Sequence, residues 1–223
     1  MALLAAIGAI ATFNSQNEEI ARLRKREVEV DKLAASERSQ LFARQQLADE
    51  RAEAQQFETT FFGLLKAFRD LVISLDLIDE SNKDYKAEGH DVFRDMLALF
   101  KGNHFIADSN AVGVVSLQWP LFANHFKNDL NHYFRTLYHI VCFVERARVE
   151  NKYFYIQILR SFLSEAELSL LALNCECGEG RQKFKVLVEK FALLHNLSED
   201  EIKFLEAKAK IFYLRVSAFG RNG

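Results

Sequence analysis

Polar and apolar residues divide the chain into three stretches. Met1 to Phe13 (MALLAAIGAIATF) carries no charged side chain. Asn14 to Gln56 is rich in Glu, Arg, Lys, Gln and Ala, contains neither Gly nor Pro, and so favours an uninterrupted helix. Its apolar positions are sparse: Ile20, Leu23, Val30, Leu33, Leu41 and Leu47. At Phe57 the polarity changes, and Phe57, Phe61, Phe62, Leu64, Leu65, Phe68, Leu71, Val72 and Leu75 recur at helical spacing. The spacing predicts one helix that runs from the charged stretch into a core. The expected domains are therefore an apolar segment at 1–13, a charged helical stalk at 14–56 and a helical domain at 57–223.

The stalk has one seven-residue phase, Ile20, Glu27, Ala34, Leu41, Ala48, Gln55 and Phe62. The companion phase begins with Leu23 and Val30 but continues with Glu37, Arg44 and Arg51. A strong coiled coil keeps both phases apolar. Two readings follow: a weak coiled coil that pairs loosely or within an assembly, and a solvated single helix.

Beyond the first core helix, Asp76 to Glu88 is polar and reads as a connection. Gly89 to Phe100 is a short amphipathic helix, with Val92, Phe93, Met96, Leu97 and Phe100 on its apolar face and Gly102 closing it. Lys101 to Trp119 lacks a helical period and reads as loop, including Val112 to Leu117. Pro120 suits a first helical turn, so a helix is expected from Pro120 to Val149. Another follows from Asn151 to Asn174, a tight break at Cys175 to Gly180, and a helix from Arg181 to Leu194. Ser198-Glu-Asp-Glu201 is a capping-box pattern that opens a last helix reaching Val216. The fold class is all-α: a long N-terminal helix leading into a C-terminal bundle.

Composition agrees with this. A single Pro and nine Gly suit long helices, and twenty Phe can fill a helical core. Twenty-nine basic and 31 acidic residues leave a net charge of −2, with no basic excess for nucleic acid. The cysteines, Cys142, Cys175 and Cys177, do not form a disulfide framework. Cys175-x-Cys177 would be half a zinc site, and no second pair completes it. No cofactor is expected.

The first thirteen residues span roughly 20 Å as a helix, short of the ~30 Å bilayer core. Three readings stay open: an interfacial or half-inserted anchor, the end of a longer span, or a helix buried on a partner. Arg22, Arg24, Lys25 and Arg26 would place the following chain on the cytoplasmic side of a membrane. The expected location is the cytoplasmic side of a membrane, with a cytoplasmic protein as the alternative.

The candidate chemistry lies on two helices. His132, Arg135, His139 and Arg146 fall within roughly 60° of one another, opposite an apolar stripe. Tyr153, Gln157, Arg160, Ser164, Glu167 and Asn174 form a second polar stripe if residues 151–174 are one helix. Facing each other, the stripes would gather His132, Arg135, His139, Arg160, Glu167 and Asn174 in one groove, with Glu167 pairing Arg135, Arg160 or a histidine. Such a groove could fix helix register, or bind an anion. No phosphate-cradling glycine loop, H-E-x-x-H or nucleophile elbow is present, which leans against an enzyme and leaves that question open.

The blocks F57-E-T-T-F-F-G-L-L65, G89-H-D-V-F93, N131-H-Y-F-R-T-L-Y-H-I140, K152-Y-F-Y-I-Q-I-L-R-S-F-L-S164 and E167-L-S-L-L-A-L-N174 are similar, in order and spacing, to the phage abortive infection (AbiC-like) protein family. Gly180 to Leu197 continues the resemblance. It implies bacterial anti-phage defence by growth arrest or cell death, and N-terminal membrane helices ahead of a charged helical stretch. It carries no catalytic residues over to this chain. Helical defence ribonucleases of the HEPN type space their Arg and His more widely than the three residues between Arg135 and His139. The expected role is a membrane-associated sensor or effector acting through protein contacts, with self-association or a partner on the N-terminal helix. The alternatives are a soluble effector enzyme, possible as a nuclease using the groove, and a scaffold subunit of a larger defence complex.

Overall fold

A computed structural model describes residues 2–78, 86–102, 114–207 and 216–220, with side chains described from Gln16 onward except at 78, 114–117, 207 and 216. The chain divides into two compact units, Met1–Gln56 and Phe57–Gly223. Helix α1 (Ala2–Ile73) is continuous, as the lack of strong breakers predicts. In the first unit its described side chains are exposed apart from half-buried Ala34. Ile20, Leu23, Val30, Leu33, Leu41, Phe42 and Leu47 are all among the exposed apolar residues. No helix among the described residues is long and apolar enough to cross a membrane.

Among its described residues the second unit is all-helical but for one small pair of strands. Where a polar connection was expected, β1 (Asp76–Ile78) and β2 (Lys86–Glu88) pair antiparallel, Leu77 opposite Ala87. Ala87 is buried there, and Lys86 reaches Glu88 at 2.8 Å and Asp76 at 3.5 Å. Helix α2 (His90–Lys101) follows Gly89, whose φ of 62° is unfavourable for a residue with Cβ. Its five buried residues are those of the predicted apolar face. Gly102 ends it in extended backbone, donating to the Ala98 carbonyl.

The predicted helix Pro120–Val149 is two helices. Helix α3 (Val114–His125) begins before Pro120, which lies in its interior, and α4 (Lys127–Arg146) follows a break at Phe126. The apolar run from Val114, expected as loop, is thus helical; residues 112–113 lie outside the described part. Phe126 is buried against Phe122 with ring centroids 4.9 Å apart, so the break is anchored by packing.

The predicted helix Asn151–Asn174 is also two. Helix α5 (Lys152–Ser161) opens on Asn151, whose side chain accepts from the Phe154 amide. It stops at Phe162, and α6 (Glu165–Cys177) starts afresh behind Ser164. Ser164 and Glu167 form a complete capping box, which stabilises a helix start at the point where one long helix was expected. Helix α6 then runs past Asn174 to Cys177, so the break begins at Gly178 rather than at Cys175. The expected helix Arg181–Leu194 shrinks to a 3₁₀ turn at Glu179–Arg181, α7 (Phe184–Lys190) and a turn in which Ala192 has φ 49°.

Helix α8 (Glu199–Ala207) starts at Ser198, as the sequence predicts. Only half of the expected box forms: the Glu201 amide donates to Ser198 Oγ at 3.3 Å, while Glu165 accepts from the Ser198 amide at 3.0 Å. The expected continuation over residues 208–215 lies outside the described part, and a 3₁₀ turn occupies Val216–Phe219.

Helix α6 is the axis of this unit. Every residue from Glu167 to Glu176 is buried, which is expected of a helix that is apolar on most sides. Helices α2, α3, α7 and α8 pack against it. The inner face of α1, from Phe57 to Val72, closes the core with packed aromatic rings. Phe57 lies 5.0 Å from Phe143 and 4.8 Å from Tyr155, and Phe68 lies 5.2 Å from Tyr133.

Candidate functional site

A polar residue on a fully buried helix must find a partner, because leaving it unpaired costs about 1–3 kcal/mol. Helix α6 shows where those partners are. Glu167 has no exposed side-chain surface, and its Oε2 accepts from the Ser164 amide at 2.7 Å. The same oxygen lies 3.0 Å from Nδ1 of His90, the first residue of α2. Ser169 donates to Glu201 at 2.9 Å, and Lys101 of α2 also pairs with Glu201. Glu176 is held by Lys185 of α7 at 2.6 Å. Each charge on the central helix is thus met from a neighbouring element.

His90 is about half exposed while Glu167 is not exposed at all. The carboxylate therefore distinguishes the two ring nitrogens: Nδ1 faces the buried charge, which favours the tautomer protonated there. The imidazole borders a pocket of about 440 Å³ between α2, the start of α6 and α8. Arg94, Lys101, Ser164, Glu165 and Glu201 also line it. Arg94 pairs with Asp91 at 2.9 Å. Bases and acids are thus interleaved around the pocket, and the lining favours neither anions nor cations.

Behind Glu167 sits Tyr133 of α4, fully buried. Its hydroxyl and Glu167 Oε1 are buried without a partner at ordinary hydrogen-bond geometry. Burial first, and the nearby Glu167 charge second, push the Tyr133 phenol well above its usual range.

The six residues expected in one groove are distributed differently. The α5–α6 break takes Ser164, Glu167 and Asn174 off the helix that carries Arg160. Glu167 meets His90, not Arg135, Arg160 or His132. Arg160 donates from Nη1 to the Ala192 carbonyl at 3.0 Å, and partial burial lowers its pKa. His132 and His139 are exposed on α4. The structure brings together Arg135 and Asn174, which line a second pocket of about 170 Å³ with Asn131, Tyr138, Glu179 and Lys183. Asn174 is packed under two glycines: a Cβ on Gly178 would fall 2.5 Å from its Oδ1, and one on Gly180 2.8 Å from its Nδ2.

His90 was not singled out by sequence, although it lies in one of the blocks resembling the abortive-infection family. Its helix shows it on the polar side, and nothing local announces a partner 77 residues away. The Ser164–Glu167 box was legible: S-E-A-E has the same form as the pattern at Ser198. No group of three or more His, Cys, Asp or Glu among the described residues could hold a metal ion. Cys175 is buried within α6, and burial pushes its thiol well above the ordinary range, away from metal-binding thiolate chemistry.

This arrangement defines an all-helical domain built around a buried central helix with polar ties to its neighbours. The family model described as "Putative phage abortive infection protein" matches residues 125–202, from the end of α3 into α8. That stretch contains α6, the Glu167 box and the whole second pocket. No curated protein and no solved structure matches the chain.

Proposed function

We propose that this chain serves bacterial anti-phage defence by abortive infection, and that it acts through protein contacts made by the N-terminal part of α1. The family match supports the biological role. The observation that carries the mode of action is the exposure of large apolar side chains on a helix otherwise covered with charge: Leu23, Val30, Leu41 and Phe42 are each at least 58% exposed. Burying such residues against a partner is favourable by about 25 cal/mol per Å² of apolar surface. In this reading the uncharged residues 2–13 add a peripheral contact with the cytoplasmic face of the membrane.

The test is a phage challenge of cells carrying the chain with Ala34→Glu and Leu41→Glu. These positions lie on the exposed helix, so the folded unit at 57–223 should keep its melting temperature while protection is lost. Full protection from the double variant would refute the contact reading.

A second reading is favoured by one specific observation, the half-exposed His90 held by buried Glu167 beside a pocket. An imidazole positioned by a buried carboxylate at the edge of a pocket is suited to general acid–base chemistry. The soluble-enzyme reading predicts that His90→Gln abolishes protection with an unchanged melting temperature. The contact reading predicts that protection persists.

A further inference from the structure

Part of the apolar surface of α1 forms a line with its own period, Leu23, Val30 and Leu41 being its exposed large side chains, while Ile20, Val28, Leu33, Phe42 and Leu47 lie off it. At 100° per residue, a strip about 40° wide along residues 17–56 contains six side chains and no others: Leu23, Val30, Ala34, Leu41, Ala48 and Ala52. None is polar. Leu23 and Leu41, Val30 and Ala48, and Ala34 and Ala52 are each separated by eighteen residues, which is about five turns of a straight helix. A seven-residue repeat drifts off this strip, which explains why heptads describe the stretch poorly. The strip extends roughly 44 Å from Leu23 to Ala52.

Bulk and charge along the strip are both arranged for reversal. Its N-terminal end is large (Leu23, Val30) and its C-terminal end small (Ala48, Ala52). Arg22, Arg24, Lys25 and Arg26 cluster at the first end; Asp49, Glu50 and Glu53 lie at the other, with Arg51 among them. A second copy laid antiparallel, centred between Glu37 and Arg38, sets Leu23 against Ala52 and Leu41 against Ala34. It also sets Glu27 against Ala48, Arg38 against Glu37, and the basic cluster against the acidic one. The strip's two leucines then each meet an alanine, while Val30 faces Gln45. A parallel pair would instead oppose the two basic clusters, Glu27 to Glu27 and Arg38 to Arg38, and like charges facing each other are destabilising.

We propose that α1 docks on α1 of a second copy of this chain in a straight antiparallel pair centred between residues 37 and 38. This names the partner within the contact reading above and rests on it. The full-length chain should run in light scattering at twice 25.7 kDa, and dissociate more readily at high salt. A benzophenone amino acid in place of Leu23 should cross-link to the segment around Ala52. Lys25→Glu with Arg26→Glu should weaken the dimer about tenfold or more, and adding Asp49→Lys with Glu50→Lys, the residues they face, should restore it.

A monomer at every concentration, or a cross-link from position 23 to position 23, overturns the proposal. The two readings fail separately. If the chain is monomeric but Ala34→Glu with Leu41→Glu still abolishes protection, the self-pairing is wrong and another protein occupies the strip. If the antiparallel dimer forms and its disruption leaves protection intact, the pairing stands and the contact account of function falls.

Discussion

At the scale of single residues, the buried carboxylate of Glu167 does two jobs whose contributions can be separated. It caps α6 through the Ser164 amide and it meets His90 on α2. Glu167→Ala removes both and also the charge beside Tyr133, so a loss of about 2–4 kcal/mol is expected in urea unfolding. Glu167→Gln keeps an acceptor for Ser164 and should cost less, on the order of 1 kcal/mol. Equal losses for the two variants would show that the charge, not the cap, dominates. Tyr133 adds a pH signature. Its folded pKa is raised, so the folded chain holds this proton more tightly than the unfolded chain does. The stabilisation is complete below the ordinary tyrosine pKa of about 10 and is lost as pH rises above it. Tyr133→Phe deletes a buried hydroxyl that has no partner at ordinary geometry. It should therefore change stability by less than about 1 kcal/mol at neutral pH and flatten the alkaline decline.

At the scale of elements, glycines tell free helix from crowded turn. Gly63 lies within α1, and a Cβ there would meet nothing within 4 Å. Gly63→Ala should therefore stabilise by about 0.5–1 kcal/mol. At Gly178 a Cβ would fall 2.5 Å from Asn174 Oδ1 and 2.6 Å from Trp119 Nε1, so Gly178→Ala should destabilise by about 1–3 kcal/mol. Thermal melts of the two variants should move in opposite directions. The same contrast shows what sequence reveals. The helix class, the α2 face and the core stripe from Phe57 to Val72 were legible because apolar spacing is local. The breaks at Phe126 and Phe162 were not, because each apolar pattern continues across them. A buried ring anchors the first, and the Ser164 box restarts the chain at the second. Since the break at Phe162 was missed, Arg160 and Glu167 were placed on one stripe that does not exist. The His90–Glu167 contact was hidden for a different reason: it joins the starts of two helices far apart in sequence, and no periodicity records that.

At the scale of the whole molecule, the two compact units are held by different physics. The unit at 57–223 buries one core that includes Phe61, Phe68, Val92, Phe100, Trp119, Tyr133 and most of α6. The unit at 1–56 has no core of its own among its described side chains, and a single exposed helix is marginal without packing. A chain that begins at Gln56 should therefore keep the main cooperative melt of the full-length protein, less only a small shift from fraying at the new helix end. Circular dichroism should show it losing helix signal from the missing residues without losing the transition itself. If the shortened chain fails to fold, the core of the second unit depends on the first. If it folds and loses phage protection, the N-terminal helix is required for defence by a route other than stability. That outcome would direct attention to the line from Leu23 to Ala52, where apolar surface on α1 stands exposed.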